Sequence, residues 1–170
     1  MTPMLSPERA ILYGGLVVGI LDLLDAIVFF GFRGVAPIRI PQSIAAGLLG
    51  RNAFAGGLAT AALGLVLHFL IATAIVATFV ALVRRVPRLR RPWLLWGVLY
   101  GIVVYLVMNR VVIPLSASPG TWPPPAPVLL NGVLIHIFGV GIPSAWFAAR
   151  TLPPALADGA VRPYPATPPA

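Results

Sequence analysis

The chain contains no cysteine and no lysine among its 170 residues, and only four acidic residues. The absence of cysteine excludes disulfides, thiolate metal sites, iron–sulfur clusters and thiol catalysis. Charged residues make up 9% of the sequence, whereas a soluble domain carries about a quarter. Hydrophobic residues make up 59% and occur in long blocks. The composition therefore predicts an integral membrane protein, with one compact bundle as its domain.

The sequence also lacks the motifs of common membrane enzymes. It contains no H-E-x-x-H, no G-x-S-x-G and no paired-aspartate phosphatase signature. These absences favour a protein without a defined catalytic activity and without a bound cofactor.

The basic residues are twelve arginines, and they give the chain a net charge of +8. Five of them lie in one short gap between apolar blocks: Arg84, Arg85, Arg88, Arg90 and Arg91. Such a cluster is typical of a cytoplasmic loop that faces anionic lipid, and not of a surface that binds nucleic acid. We therefore predict the lipid bilayer as the partner of this basic loop.

Four apolar blocks reach the length of about 20 residues that crosses the hydrocarbon core of a bilayer. The blocks cover about residues 10–32, 53–83, 93–113 and 127–149. They predict an all-α, four-helix transmembrane bundle within residues 1–150. A short interfacial or re-entrant helix is expected in the connection between the first two spans, which is too short to cross. Residues 151–170 are rich in proline and are predicted to form a disordered cytoplasmic tail.

Polar residues inside the apolar blocks are predicted to form two layers across the bundle. The mid-membrane layer would consist of Asp22, His68 and His136. The outer layer would consist of Asp25, Asn109, Arg110 and Asn131. Carboxylates at this depth need partners or protons. We therefore expect Asp25 to pair with Arg110, and Asp22 to share protons with the histidines.

Small residues recur at steps of three or four along each block, so they share one helical face. Stripes of this kind mark the faces where membrane helices approach closely. The glycines assigned to this packing are Gly15, Gly19, Gly57, Gly64, Gly97, Gly101, Gly132 and Gly139.

The order of four segments, "GLVLHFLIA", "LLWGVLYG", "VMNRVVIPLS" and "NGVLIHIFGVGIP", resembles the YagU-type family of small bacterial inner-membrane proteins. The resemblance covers about residues 55–150 and carries over His68, Pro114 and His136. It implies a multi-pass protein of the bacterial inner membrane. Some members are associated with acid tolerance, which suits a titratable core. The basic loop and "LDLLD" depart from the pattern and indicate a sister family.

Three functions are compatible with these patterns. The first is a non-enzymatic membrane protein with a proton-responsive or transport-related polar core. The second is a haem b protein with His68 and His136 as axial ligands. The third is a structural or accessory subunit that uses its glycine faces in a homo-oligomer or a larger membrane complex.

The arginine distribution predicts that both termini are cytoplasmic, since eight arginines then lie inside and four outside. Because the chain has no cysteine, single engineered cysteines can test this orientation. An impermeant maleimide should label Ser116→Cys in intact cells, and Arg88→Cys only after permeabilisation. Labelling of Arg88→Cys in intact cells would contradict the predicted orientation.

Overall fold

The structure is a computed structural model that describes residues 4–119 and 123–151. Its helices are α1 (Pro7–Gly31), α2 (Arg39–Leu49), α3 (Gly57–Arg85), α4 (Trp93–Leu115) and α5 (Ala126–Ala149). Short 3₁₀ turns cover Gly50–Ala55 and Pro87–Arg90, and no strand occurs in the described ranges. The predicted tail, apart from Thr151, lies outside the described residues.

Four of these helices, α1, α3, α4 and α5, are long and apolar enough to cross a membrane. The predicted all-α fold with four spans is therefore confirmed, and the chain is a multi-pass membrane protein. The segment between α1 and α3 contains α2, which has 11 residues and is too short to span.

Local sequence explains where the spans begin and end. At the start of α1, Ser6 is the N-cap: its Oγ accepts a hydrogen bond from the Arg9 N–H at 3.4 Å, and Pro7 follows in the first turn. Helix α3 ends directly before Val86, which precedes Pro87. A proline restricts the preceding residue to extended conformations, which stops the helix there.

Helix α5 is the centre of the bundle and packs against α1, α3 and α4. Its contact with α4 is a backbone-to-backbone approach between glycines. A Cβ atom at Gly101 would lie 2.2 Å from the His136 carbonyl oxygen, and one at Gly141 would lie 2.2 Å from the Gly97 carbonyl oxygen. Only glycine allows the two helices to come this close.

Three of the other predicted packing glycines lie on α1 and at the start of α3, and their surroundings differ. Gly15 and Gly19 on α1 face Thr73 and Phe69 of α3, and a Cβ atom at either would clash with these residues. At Gly57, by contrast, the prediction is wrong, because no atom lies within 4 Å of the Cβ position. Gly57 instead adopts a φ of +57° at the start of α3, a conformation that favours glycine.

Two further glycines of the predicted stripes lie on α5. A Cβ atom at Gly132 would lie 2.7 Å from the Tyr105 ring of α4, so this position requires a small residue. The Cβ position of Gly139 lies 3.5 Å from Leu21 of α1, which is ordinary contact, and its closest neighbour is Ile135 of the same helix.

Helix α2 lies against the first turns of α3. At Gly64 a Cβ atom would lie 1.8 Å from the Pro41 carbonyl oxygen, so the backbones of α2 and α3 are in direct contact. Gln42 is buried beside this contact, and its Nε2 donates a hydrogen bond to the Gly57 carbonyl at 3.0 Å. These contacts fix α2 across one end of the bundle.

The two halves of the bundle are packed differently. Buried apolar side chains fill the half that adjoins the basic loop, among them Val76, Val80, Val83 and Ala148. The opposite half contains the C-terminal part of α1 and the N-terminal part of α5, and it encloses a cavity that α2 borders.

Adding a methyl group at a helix contact should destabilise the bundle, whereas adding one in open space should not. We expect Gly64→Ala and Gly101→Ala to lower the free energy of unfolding by roughly 1–3 kcal/mol. Gly31→Ala is the matched control, because it lies at the end of α1 with no atom within 4 Å of its Cβ position. Thermal unfolding in detergent micelles measures all three. Equal stabilities for Gly31→Ala and Gly101→Ala would contradict the close approach.

Candidate functional site: a polar cavity in the bundle

The cavity between the spans has a volume of about 350 Å³ and is bordered by α1, α2, α3, α4 and α5. Most of its wall is aliphatic or aromatic. The polar side chains that line it are Asp22, Asp25, Ser43, His68, Tyr105, Asn109, Asn131 and His136. The residues predicted as two separate layers, with the exception of Arg110, therefore border one common space.

Asp22 faces the cavity from α1 and is half-buried. Within residues 4–119 and 123–151, no protein group donates a hydrogen bond to its carboxylate. The described lining also contains no arginine. Among the described residues, Asp22 is thus a carboxylate in an apolar bundle without a protein hydrogen-bond donor, and a proton, water or a ligand can interact with it.

Asp25 lies one helical turn further along α1, and its partner differs from the one expected. Asn131 of α5 donates a hydrogen bond from Nδ2 to Asp25 Oδ2 at 2.7 Å. From the sequence, Arg110 was the expected partner of Asp25. In the structure the Arg110 side chain is exposed. It follows Met108 and Asn109 on α4, which line the cavity, but Arg110 is not part of the cavity lining. A neutral amide therefore holds Asp25, and both carboxylates remain without an arginine in the cavity wall.

His136 on α5 borders the same cavity as Asp22 and Asp25. Its Nδ1 lies 2.8 Å from the Gly132 carbonyl oxygen. A carbonyl can only accept, so Nδ1 carries the proton and Nε2 is the acceptor nitrogen of the neutral ring. The Tyr105 ring packs edge-on against the imidazole, with 5.3 Å between ring centroids.

His68 on α3 has a second, structural task. It is only 8% exposed, and its Nε2 donates to the Gly19 carbonyl oxygen at 2.8 Å, which joins α3 to α1. The acceptor nitrogen of this ring is therefore Nδ1. His68 and His136 thus share the cavity wall, but each uses one nitrogen to bind a backbone carbonyl.

Two π-helical segments, Met108–Val112 in α4 and His136–Gly141 in α5, place polar residues on the cavity wall. Each ends two residues before a proline, Pro114 or Pro143. Proline donates no hydrogen bond and clashes with the carbonyl four residues earlier, so a wider turn before it relieves the conflict. The sequence prediction placed His136 on an ordinary helix and missed this local widening.

Two other polar groups on the wall are held by their own helices. Asn109 Nδ2 donates to the Tyr105 carbonyl at 2.9 Å, and Ser43 Oγ donates to the Ile40 carbonyl at 2.7 Å. Ser43 was missed by the sequence prediction, because it belongs to the short helix α2 and not to a span. Its only sequence signal is its place in "PQSIAAGLLG".

The described residues do not form a group of three or more His, Asp or Glu side chains arranged to hold a metal ion. For the predicted haem pair, ligation would have to use Nε2 of His136 and Nδ1 of His68, given the hydrogen bonds above. His136 has the arrangement usual for a metal-bound histidine, in which the other ring nitrogen donates to a carbonyl.

No protein-family model matches the chain, and searches of curated proteins and of solved structures give no match either. The resemblance to the YagU-type family therefore stays a prediction.

The hydrogen bond between Asp25 and Asn131 predicts an energetic coupling between α1 and α5. In a double-mutant cycle, Asp25→Ala and Asn131→Ala should couple by about 1 kcal/mol, since each single change strands the other polar group. The same cycle with Asn109→Ala is the control, because the Asn109 amide donates within α4. Unfolding in mixed micelles provides the four stabilities. Additive effects for Asp25 and Asn131 would show that this hydrogen bond is absent.

Proposed function

We propose that this chain is a proton-responsive or transport-related protein of the bacterial inner membrane, without a defined catalytic activity. Its titratable element is the cavity with Asp22, Asp25, His68 and His136 in its wall. The observation that carries the proposal is Asp22, whose carboxylate faces the cavity with no hydrogen bond from the described protein groups.

The arrangement around Asp22 supports proton uptake. An ionised carboxylate in an apolar bundle is costly, and protonation removes that cost. Asp25 adds a second negative charge one turn away, and the acceptor nitrogen of His136 is a further site for a proton.

The placement in the membrane belongs to the same proposal. With both termini cytoplasmic, the basic loop faces anionic lipid, and the cavity occupies the outer half of the bilayer. Helix α2 would then be an interfacial or re-entrant helix at the outer surface, across the mouth of the cavity. The resemblance to the YagU-type family, some members of which are associated with acid tolerance, supports this proposal.

Haem b bound between His68 and His136 is the second candidate, favoured by one observation. Both histidines line the same cavity, and His136 donates through Nδ1 to a backbone carbonyl as metal-bound histidines do. A Soret band in the purified protein that disappears in His136→Ala would establish this candidate, and its absence after reconstitution with haem would remove it.

Protonation of Asp22 should be visible by infrared spectroscopy. On acidification of the protein in lipid, we expect the C=O band of a protonated carboxyl group to appear, because the cavity offers Asp22 a proton site and no cation. The band should be lost or reduced in Asp22→Asn. Glu8→Gln is the matched control, since Glu8 is an exposed carboxylate in the first turn of α1.

Two results of this infrared experiment would contradict the proposal. If Asp22→Asn and Asp25→Asn both leave the band as intense as in the unmodified protein, the cavity carboxylates do not take up protons in this pH range. If Asp25→Asn alone removes it, the titrating group is Asp25 and the role assigned to Asp22 is wrong.

A further inference from the structure

The polar groups of the cavity wall differ in whether they can accept a hydrogen bond from a ligand or donate one to it. Its acceptors include the carboxylates of Asp22 and Asp25 and one ring nitrogen each of His68 and His136, since the other ring nitrogen of each is bound to a carbonyl. A bound molecule therefore meets four acceptor groups in one wall.

Three side chains of the same wall donate hydrogen bonds to protein groups. Ser43 donates its hydroxyl proton to the Ile40 carbonyl, and the amides of Asn109 and Asn131 each donate one proton, to the Tyr105 carbonyl and to Asp25. A ligand that brings its own donors is consequently favoured over one that needs them from the protein.

Charge indicates the same class of ligand. The chain carries a net charge of +8, yet the described cavity wall contains two carboxylates and no arginine. Opposite charges attract each other more strongly in apolar surroundings than in bulk water. The site therefore selects a cation and rejects an anion.

The volume of the cavity and the apolar part of its wall indicate the nature of the rest of the ligand, beyond its cationic group. A volume of about 350 Å³ is in the range of sites for small organic molecules, which begins at about 300 Å³. Beside the carboxylates the wall is formed by Phe29, Phe30, Ile71 and Ile135. These side chains suit an apolar body, and aromatic faces attract a cation. The described residues also lack a cluster that would hold a metal ion.

From these observations we propose that the cavity binds a small protonated amine with an apolar body, whose ammonium group donates to Asp22. This inference rests on the proposed function, for which the amine would be the transported or sensed molecule. The ammonium group supplies the positive charge that the described wall lacks and donates to its carboxylates, and the apolar body fills the space between the spans.

The test is isothermal titration of the full-length protein in detergent micelles. Phenethylamine is the probe, with 2-phenylethanol as a neutral analogue of the same shape and 3-phenylpropionate as an anionic one. We expect saturable binding of one amine per chain, with the alcohol at least about tenfold weaker because it lacks the charge-assisted pair. The anion should give no heat beyond that of empty micelles.

Variants connect the binding to the cavity. Asp22→Asn should weaken amine binding by about tenfold or more, whereas Glu8→Gln should leave it unchanged, because Glu8 is outside the cavity wall. Both variants are titrated in the same micelles. The heat from partition of the amine into detergent is therefore the same in both and cancels in the comparison. A thermal-unfolding measurement on Asp22→Asn shows that the variant is folded, and Asp25→Asn provides a second carboxylate if it is not.

Each result decides for or against the inference. Equal binding of amine and alcohol, or amine binding that survives both Asp22→Asn and Asp25→Asn, would overturn it. If the amine does not bind while the infrared band of Asp22 persists, the amine site is wrong and proton response stands. If neither is seen, both proposals fail.

Discussion

A carboxylate inside an apolar bundle must find a proton, a hydrogen-bond donor or a cation, and this requirement organises the structure. An aspartate near the centre of a membrane helix costs about 2.5–3.5 kcal/mol on insertion scales. Helix α1 carries two, three residues apart, so both are directed to one side of the helix. Asp25 meets the requirement with the amide of Asn131, and Asp22 meets it at the cavity.

Close packing of the helices elsewhere makes the cavity a defined space. Glycine contacts bring α4 against α5, and α3 against both α1 and α2, with backbone atoms in contact. Valine and alanine fill the half beside the basic loop. The opposite half contains the cavity, which both polar and apolar side chains line. His68 contributes both to helix packing and to the cavity wall. One of its ring nitrogens joins α3 to α1, and the ring also borders the cavity.

The sequence predicted the features that depend on length and periodicity. Four apolar blocks predicted four spans, and the depths of Asp22, His68 and His136 along them predicted that these residues would lie near each other. It did not predict the partner of Asp25, since a charged arginine and a neutral asparagine at similar depth are both plausible and only helix rotation decides between them. The π-helical turns and the role of Ser43 were missed because they depend on contacts between helices, as does the absence of neighbours around Gly57.

The central claim is that water and cations reach the carboxylates of α1 through the cavity, and reaction of engineered thiols tests it most directly. Ala26→Cys places a thiol in the cavity wall beside both aspartates, whereas Val28→Cys on the same helix is 55% exposed on the outer surface of the bundle. In lipid, a small cationic thiosulfonate should modify Ala26→Cys faster than an anionic thiosulfonate of equal size. The ratio of the two modification rates should exceed the ratio measured with a free thiol in solution. Val28→Cys should react with neither. An unreactive Ala26→Cys, or equal rates for the two reagents, would contradict the account.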